Sequence, residues 1–259
     1  DLARLDSPDA QTNLRRLLND NLVLCVRGQT LAPVPFRDAM ARFGRPLKRL
    51  QLERTAECEE VNIVSSEDRD TLGDGKKLVN GASWHTDDSF MREPCSLTML
   101  YGVIVPSSGG DTQFVNMYAA YEALPAETKA RIDGMKVVHK YKSSRSTNRV
   151  SELTPEQMAA MPAATHPLVR THPETGRKAL YTSTAHSVRF KGWTEQESQP
   201  LLEFLWVHQV RPEFTCRFRW QPGSLAFWDN RCAMHNPIND YHGFRRVMHR
   251  ITLKGDKPR

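Results

Sequence analysis

The chain has 259 residues, 39% of them hydrophobic, enough to bury a large core, and a single β-rich domain over 1–259 is expected. No apolar run approaches the ~18 residues of a membrane span and no basic-then-apolar leader opens the sequence, so a cytoplasmic protein with no membrane partner is expected. The net charge of +6 is spread along the chain without a basic run or nucleic-acid motif, and the five cysteines are odd in number, scattered and without Cys-x-x-Cys; nucleic-acid binding, a disulfide framework and a structural zinc site are all disfavoured.

Asp6-Ser7-Pro8 starts a helix carrying Leu14, Leu17 and Leu18 on one face, and Asn21 to Val26 reads as a buried strand closed by Arg27-Gly28. A second helix from Pro35 to Arg42 stops at Gly44, followed by strand candidates Leu47 to Leu52 and Val61 to Val64. Ser65 to Gly75 is a polar loop. Ser96 to Val105 is a strong strand ended by Pro106-Ser107-Ser108-Gly109-Gly110, with Thr112 to Asn116 expected as its hairpin partner. Helical patterning from Tyr118 to Leu124 restarts after Pro125 and stops near Gly134, before a short strand Val137 to Tyr141. The polar stretch 142–164, with a helical piece Pro155 to Met161, is a candidate lid.

Pro167 to Thr171 and Lys178 to Thr182 form a hairpin across Pro173-Glu174-Thr175-Gly176, and Thr194-x-x-Glu197 is a capping box opening a packing helix through Leu201, Leu202, Leu205 and Val207. Phe214 to Trp220 alternates as a strand, and Leu225 to Trp228 runs towards His235. If residues 245–253 form a strand, Arg246, Met248, Arg250 and Thr252 share one face. Two arginines beside Met248 point to an internal anion site, because buried charges demand partners.

The chemistry concentrates at Trp84-His85-Thr86-Asp87. In an extended strand residues i and i+2 point the same way, so His85 and Asp87 can project side by side at one metal ion, with His235 as the third ligand from elsewhere in the fold. Two histidines and a carboxylate leave open coordination positions, which suits a non-haem Fe(II) oxygenase. With nine histidines a chance His-x-Asp is ordinary. His172-Pro173-Glu174 has the same spacing but reads as a hairpin tip. The first motif is preferred for its company downstream: Gly109-Gly110-Asp111-Thr112, Arg246 and Arg250.

Five blocks stand in one order, Trp84 to Asp87, Gly109 to Thr112 with Ala119 to Pro125, Thr171 to Arg177, Trp228 to Arg231, and Arg246 to Arg250. Together they resemble the Fe(II)/2-oxoglutarate-dependent dioxygenases of the taurine dioxygenase and 2,4-dichlorophenoxyacetate dioxygenase (TauD/TfdA) family. The resemblance implies His85, Asp87 and His235 as iron ligands, Thr112 and Arg246 as holders of the distal carboxylate of 2-oxoglutarate, and Arg250 as a contact to an anionic substrate. It implies a double-stranded β-helix, or jelly roll, with helices outside and the metal inside one open end. The implied reaction consumes O2 and hydroxylates an unactivated C–H bond, with oxidative decarboxylation of 2-oxoglutarate to succinate and CO2.

Taurine dioxygenases themselves place a histidine and a tyrosine on the strand matching Leu47 to Leu52, and an asparagine four residues before the first iron ligand. Here the first region holds Lys48, Arg49 and Gln51 and the second position is Gly81. The amine-binding side is altered while Arg250 is kept, which predicts a small organic anion: a sulfonate, a sulfate ester, an aryloxyalkanoate or another carboxylate. Arg49 reads either as a second anion contact or as a solvated rim arginine. A homo-oligomer is expected. Two other classes stay open: a zinc hydrolase on the same triad, and a jelly-roll binding protein without turnover.

Overall fold

The computed structural model describes residues 2, 7–49, 52–66, 83–144, 154–241 and 243–259. Ser7 caps helix α1 (Pro8–Asn21) by accepting the Ala10 amide, with Pro8 in the first turn where no backbone donor is needed. Strand β1 (Val23–Val26), helix α2 (Pro33–Ala41), β2 (Asn62–Ser65), β3 (Leu97–Ile104) and β4 (Thr112–Asn116) follow. Then come α3 (Met117–Glu122), α4 (Ala126–Ile132), β5 (Lys136–His139), α5 (Pro155–Ala160), β6 (Ala164–Pro167), β7 (Val169–Thr171), β8 (Lys178–Leu180) and β9 (Ser187–Phe190). Helix α6 (Glu195–Gln209) opens on the expected capping box, in which Thr194 and Glu197 satisfy each other's backbone amides. The last strands are β10 (Thr215–Phe218), β11 (Leu225–Asp229), β12 (Ala233–Pro237) and β13 (Val247–Thr252).

The strands form a five-stranded sheet in the order β1-β11-β3-β13-β2, two three-stranded sheets, β10-β4-β12 and β6-β5-β9, and the hairpin β7-β8. Their pairing is antiparallel throughout. The fold is thus mainly sheet with flanking helices. Period-two alternation sorts the five-stranded sheet into two faces. Leu97, Met99, Tyr101, Leu225, Phe227 and Ile251 pack with Phe36, Ala39 and Met40 of α2 and Leu18 of α1. Their neighbours Leu100, Ala226, Trp228 and Met248 turn the other way and meet Phe114 of β4. The interior between β3-β11-β13 and β4-β12 is where the predicted site residues gather.

Five expectations are corrected. Two residues read as part of a helix packing face are exposed, Leu17 of α1 at 38% and Val207 of α6 at 73%. Thr112 to Asn116 does not pair with the strand before it; β4 pairs with β10 and β12 instead. Gly109 and Gly110, with φ of +77° and +73°, carry the chain across to the other sheet, and a Cβ at Gly109 would lie 2.7 Å from the Asp240 carbonyl. Among its described residues 47–52 is no strand, only a neighbour of one: Leu47 N–H donates to Thr252 O at 2.9 Å beside a single bridge from Pro46 to Leu253. Residues 84–87 are not an extended strand. His85 makes one isolated bridge to His235, with reciprocal backbone bonds of 3.0 and 2.9 Å, and the chain then turns, Asp88 taking φ +58°. Arg49 is not a solvated rim residue, as described below. Within the candidate lid, residues 145–153 lie outside the described residues, as does Gly81.

Candidate active site

The bridge and turn do what a strand was expected to do. The donor atoms of His85, Asp87 and His235, all buried, lie within 4.8 Å of one another. His85 Nδ1 is 2.7 Å from the Ser83 carbonyl. A carbonyl can only accept, so Nδ1 carries the proton and Nε2 is left with a lone pair; Nε2 lies 3.5 Å from Asp87 Oδ1. His235 is wedged between Trp228 and His85, with ring centroids 4.6 and 4.1 Å away, and its Nδ1 has no hydrogen-bond partner in the protein. Burial first, then the neighbouring His85, holds its pKa well below the ordinary value, so the ring is neutral and able to ligate. Burial opposes the Asp87 charge, yet Arg250 and the two histidines outweigh it and hold the carboxyl well below its ordinary range. The result is an ionised carboxylate beside two buried histidine rings, a donor set for a divalent transition metal.

Arg250 lies on β13 and Arg246 immediately before its first residue; the strand is shorter than the expected 245–253, so alternation along it does not by itself place Arg246. Arg246 is 3% exposed, and its Nε and Nη2 are buried without a hydrogen-bond partner. Its guanidinium lies over the rings of Trp220 and Tyr241, 5.9 and 5.6 Å from their centroids. Burial lowers its pKa. Thr112, buried on β4, accepts the Trp220 indole N–H at 3.0 Å. A buried cation with idle donors is costly unless an anion completes it, and a planar carboxylate matches the guanidinium fork. Arg250 is 23% exposed at its side chain and its Nη1 is 3.8 Å from Asp87 Oδ1, with Nε unpartnered. Arg49, only 12% exposed, is ion-paired to Asp88 and donates through Nε to Thr252 Oγ1 at 3.2 Å. Its charge is already neutralised by the residue that follows Asp87.

Several residues of the site have no sequence signal. Tyr241, buried with its hydroxyl unpartnered, and Trp220 frame Arg246. His186 stands edge-on to His85 with ring centroids 6.2 Å apart and packs on Phe90 at 5.3 Å. Burial, then His85, lowers its pKa to about 4. Nothing in the irregular segment 182–186 marks it in advance.

A second buried group, His172, Asp229 and Cys232, also has metal-like spacing, but its donors are used. His172 Nδ1 accepts the amides of Glu174 and Thr175 at 3.2 and 3.1 Å, so Nε2 holds the proton and donates to Asp229 Oδ2 at 3.0 Å. Arg231 occupies both Asp229 oxygens, at 2.8 and 2.6 Å. The His172-Pro173-Glu174 motif is a hairpin tip, as expected, joining β7 to β8.

Known proteins resemble this chain over most of its length. A 2,4-dichlorophenoxyacetate dioxygenase dependent on alpha-ketoglutarate, from Cupriavidus pinatubonensis, is 34% identical over 257 residues, covering 94% of this chain and 88% of its own. An alkylsulfatase from Acinetobacter baylyi is 35% identical over 265 residues, covering 98% and 79%. The crystal structure of a taurine dioxygenase from Burkholderia xenovorans superposes with a TM-score of 0.84 at 36% identity, covering 100% of this chain and 84% of that one. The family model of the taurine catabolism dioxygenases, TauD and TfdA, matches residues 1–252, and the chain belongs to that family.

Proposed function

We propose that this protein is an Fe(II)- and 2-oxoglutarate-dependent dioxygenase that hydroxylates a small organic anion. The observation that carries the reading is the pairing of a buried cluster of two histidines and one carboxylate with a buried guanidinium whose Nε and Nη2 have no partner. The residues fit both groups. His85 Nε2, Asp87 and His235 would hold the metal; Arg246 and Thr112 would hold the far carboxylate of 2-oxoglutarate. When bound, the iron and 2-oxoglutarate supply the oxidation: O2 is consumed, 2-oxoglutarate leaves as succinate and CO2, and one oxygen atom enters the substrate C–H bond.

The protein's own work is placement and charge. Ser83 holds the His85 tautomer, and the packing of Phe114 and Trp228 on His235 keeps its ring dry and oriented. Arg250, partly exposed beside Asp87, is the cation available to a second anion, whereas Arg49 is spent on Asp88. A sulfonate, a sulfate ester or an aryloxyalkanoate carboxylate fits Arg250, a range consistent with what the relatives' names record. The five-stranded sheet facing β10-β4-β12 supports a double-stranded β-helix in one domain, with the site between its layers. Among the described residues no helix is long and apolar enough to cross a membrane.

The test is a screen of sulfonates, alkyl sulfates and aryloxyalkanoates for substrate-stimulated succinate formation with Fe(II), 2-oxoglutarate and O2. An anion should stimulate it in the wild type and not in His85→Ala. A best substrate that is neutral or cationic would remove the anion assignment.

A further inference from the structure

Asp87 is gripped from behind. Thr98 Oγ1 on β3 donates to Asp87 Oδ2 at 2.6 Å, while the other oxygen, Oδ1, is the one near His85 Nε2 and Arg250. Asn230, in the turn between β11 and β12, touches both ends of this contact. Its Nδ2 donates to Thr98 Oγ1 at 2.8 Å and towards Cys95 Sγ at 3.4 Å. Its Oδ1 accepts the Asp87 backbone N–H at 3.3 Å and the Trp228 indole N–H at 3.2 Å. Thr98 and Asn230 are both fully buried.

The direction of every proton follows. Two obligate donors, a backbone amide and an indole, face Asn230 Oδ1, so the amide cannot be flipped and its NH2 must face Thr98. That NH2 occupies a lone pair of the Thr98 oxygen. The one hydroxyl proton of Thr98 is left for Asp87 Oδ2. We infer that Asn230 and Thr98 form a one-way relay that ties up Asp87 Oδ2, so that the carboxylate presents only Oδ1 to a metal shared with His85 and His235. Both are positioning residues. The inference rests on the metal reading of the triad. Its consequence is a carboxylate that binds through one oxygen and leaves coordination positions free for co-substrates. Because the clamp comes from β3 and the β11-β12 turn, the ligand on the 84–88 turn is fixed to the strands that define the interior.

The experiment is a titration of metal-free protein with Mn(II) alone, without 2-oxoglutarate, substrate or O2, following free Mn(II) by electron paramagnetic resonance. Thr98→Val and Thr98→Ala should each weaken Mn(II) by about 10- to 100-fold, the range for loss of an outer-shell partner. Thr98→Ser, which keeps the hydroxyl, should bind close to wild type. Asn230→Asp places an acceptor where Thr98 now receives a donor, and should cause a similar loss that adds little to Thr98→Val in the double variant. Should Thr98→Val not fold, the Ala and Ser pair decides. Mn(II) binding by Thr98→Ala equal to wild type, or fully additive losses, would overturn the relay. A wild type that binds no Mn(II) would instead overturn the metal reading itself, an outcome distinguishable because it does not depend on Thr98.

Discussion

The Trp220 indole N–H lies 3.0 Å from the Thr112 hydroxyl oxygen. Thr112 is therefore an acceptor towards Trp220, and its own proton is free for another partner, while Arg246 lies over the same Trp220 ring. Thr112→Val, which keeps the shape and strand preference, should weaken 2-oxoglutarate by about 1.5–3 kcal/mol, the value of a hydrogen bond to a charged group. Trp220→Phe should weaken it less, because the hydroxyl survives but loses its orientation. Calorimetric titration of 2-oxoglutarate into Mn(II)-loaded protein reads both; an unchanged affinity in Thr112→Val would remove Thr112 from the site.

Arg246, just before β13, and Arg250 within it differ in exposure and partners. Arg246→Gln should cost 2-oxoglutarate affinity by about 2 kcal/mol or more, since a charged fork is lost, with a smaller change for the prime substrate. Arg250→Gln should chiefly raise the apparent KM of the anionic substrate, by about tenfold. Steady-state kinetics varying each ligand in turn separates the two; equal effects of both variants on both ligands would contradict the division.

Gly110 has φ +73°, and a Cβ there would come within 3.1 Å of Tyr241 Cδ1 and 3.3 Å of Arg246 Cδ and Nε. Gly110→Ala should destabilise the fold by about 1–2 kcal/mol from the left-handed backbone alone. It should also weaken 2-oxoglutarate by displacing Arg246. Thermal unfolding and the same titration test the two parts; an Ala variant with wild-type 2-oxoglutarate affinity would show that Arg246 tolerates the shift.

Glu174 joins the hairpin tip to Arg231 at 2.7 Å and to Arg15 at 3.0 Å. Burial would raise its pKa, but Arg231, Asn19 and Arg15 prevail and bring it from 4.5 to about 2. Its folded pKa is depressed, so its contribution is fully present above 4.5 and is lost as pH falls towards 2. Glu174→Gln should therefore lower Tm by an amount worth about 1 kcal/mol at neutral pH. That deficit should shrink progressively as the acid range is entered. A deficit independent of pH would show that the charge is not what matters.

The elements with strong patterning, α1, β3, β11, α6 and β13, were legible from period and capping, whereas His85 and Asp87 are brought together by a bridge and a turn and not by the extended strand that their spacing suggests. What was not legible is tertiary. The Gly109-Gly110 turn reads as a hairpin, yet Asp240 packs where a side chain would be and the chain crosses to another sheet. Arg49 reads as a surface cation because its partner Asp88, in a left-handed turn 39 residues on, cannot be seen in its own neighbourhood. Thr98 and Asn230 look like an ordinary strand threonine and one letter of a motif until β3 and the β11-β12 turn are brought together.

The most direct measurement of the central claim is the origin of oxygen in succinate. Turnover with Fe(II), 2-oxoglutarate and the best anionic substrate under isotopically labelled O2 should put one labelled oxygen into succinate, with none formed when zinc replaces iron. Unlabelled succinate, or product formed with zinc in the absence of O2, would contradict the account.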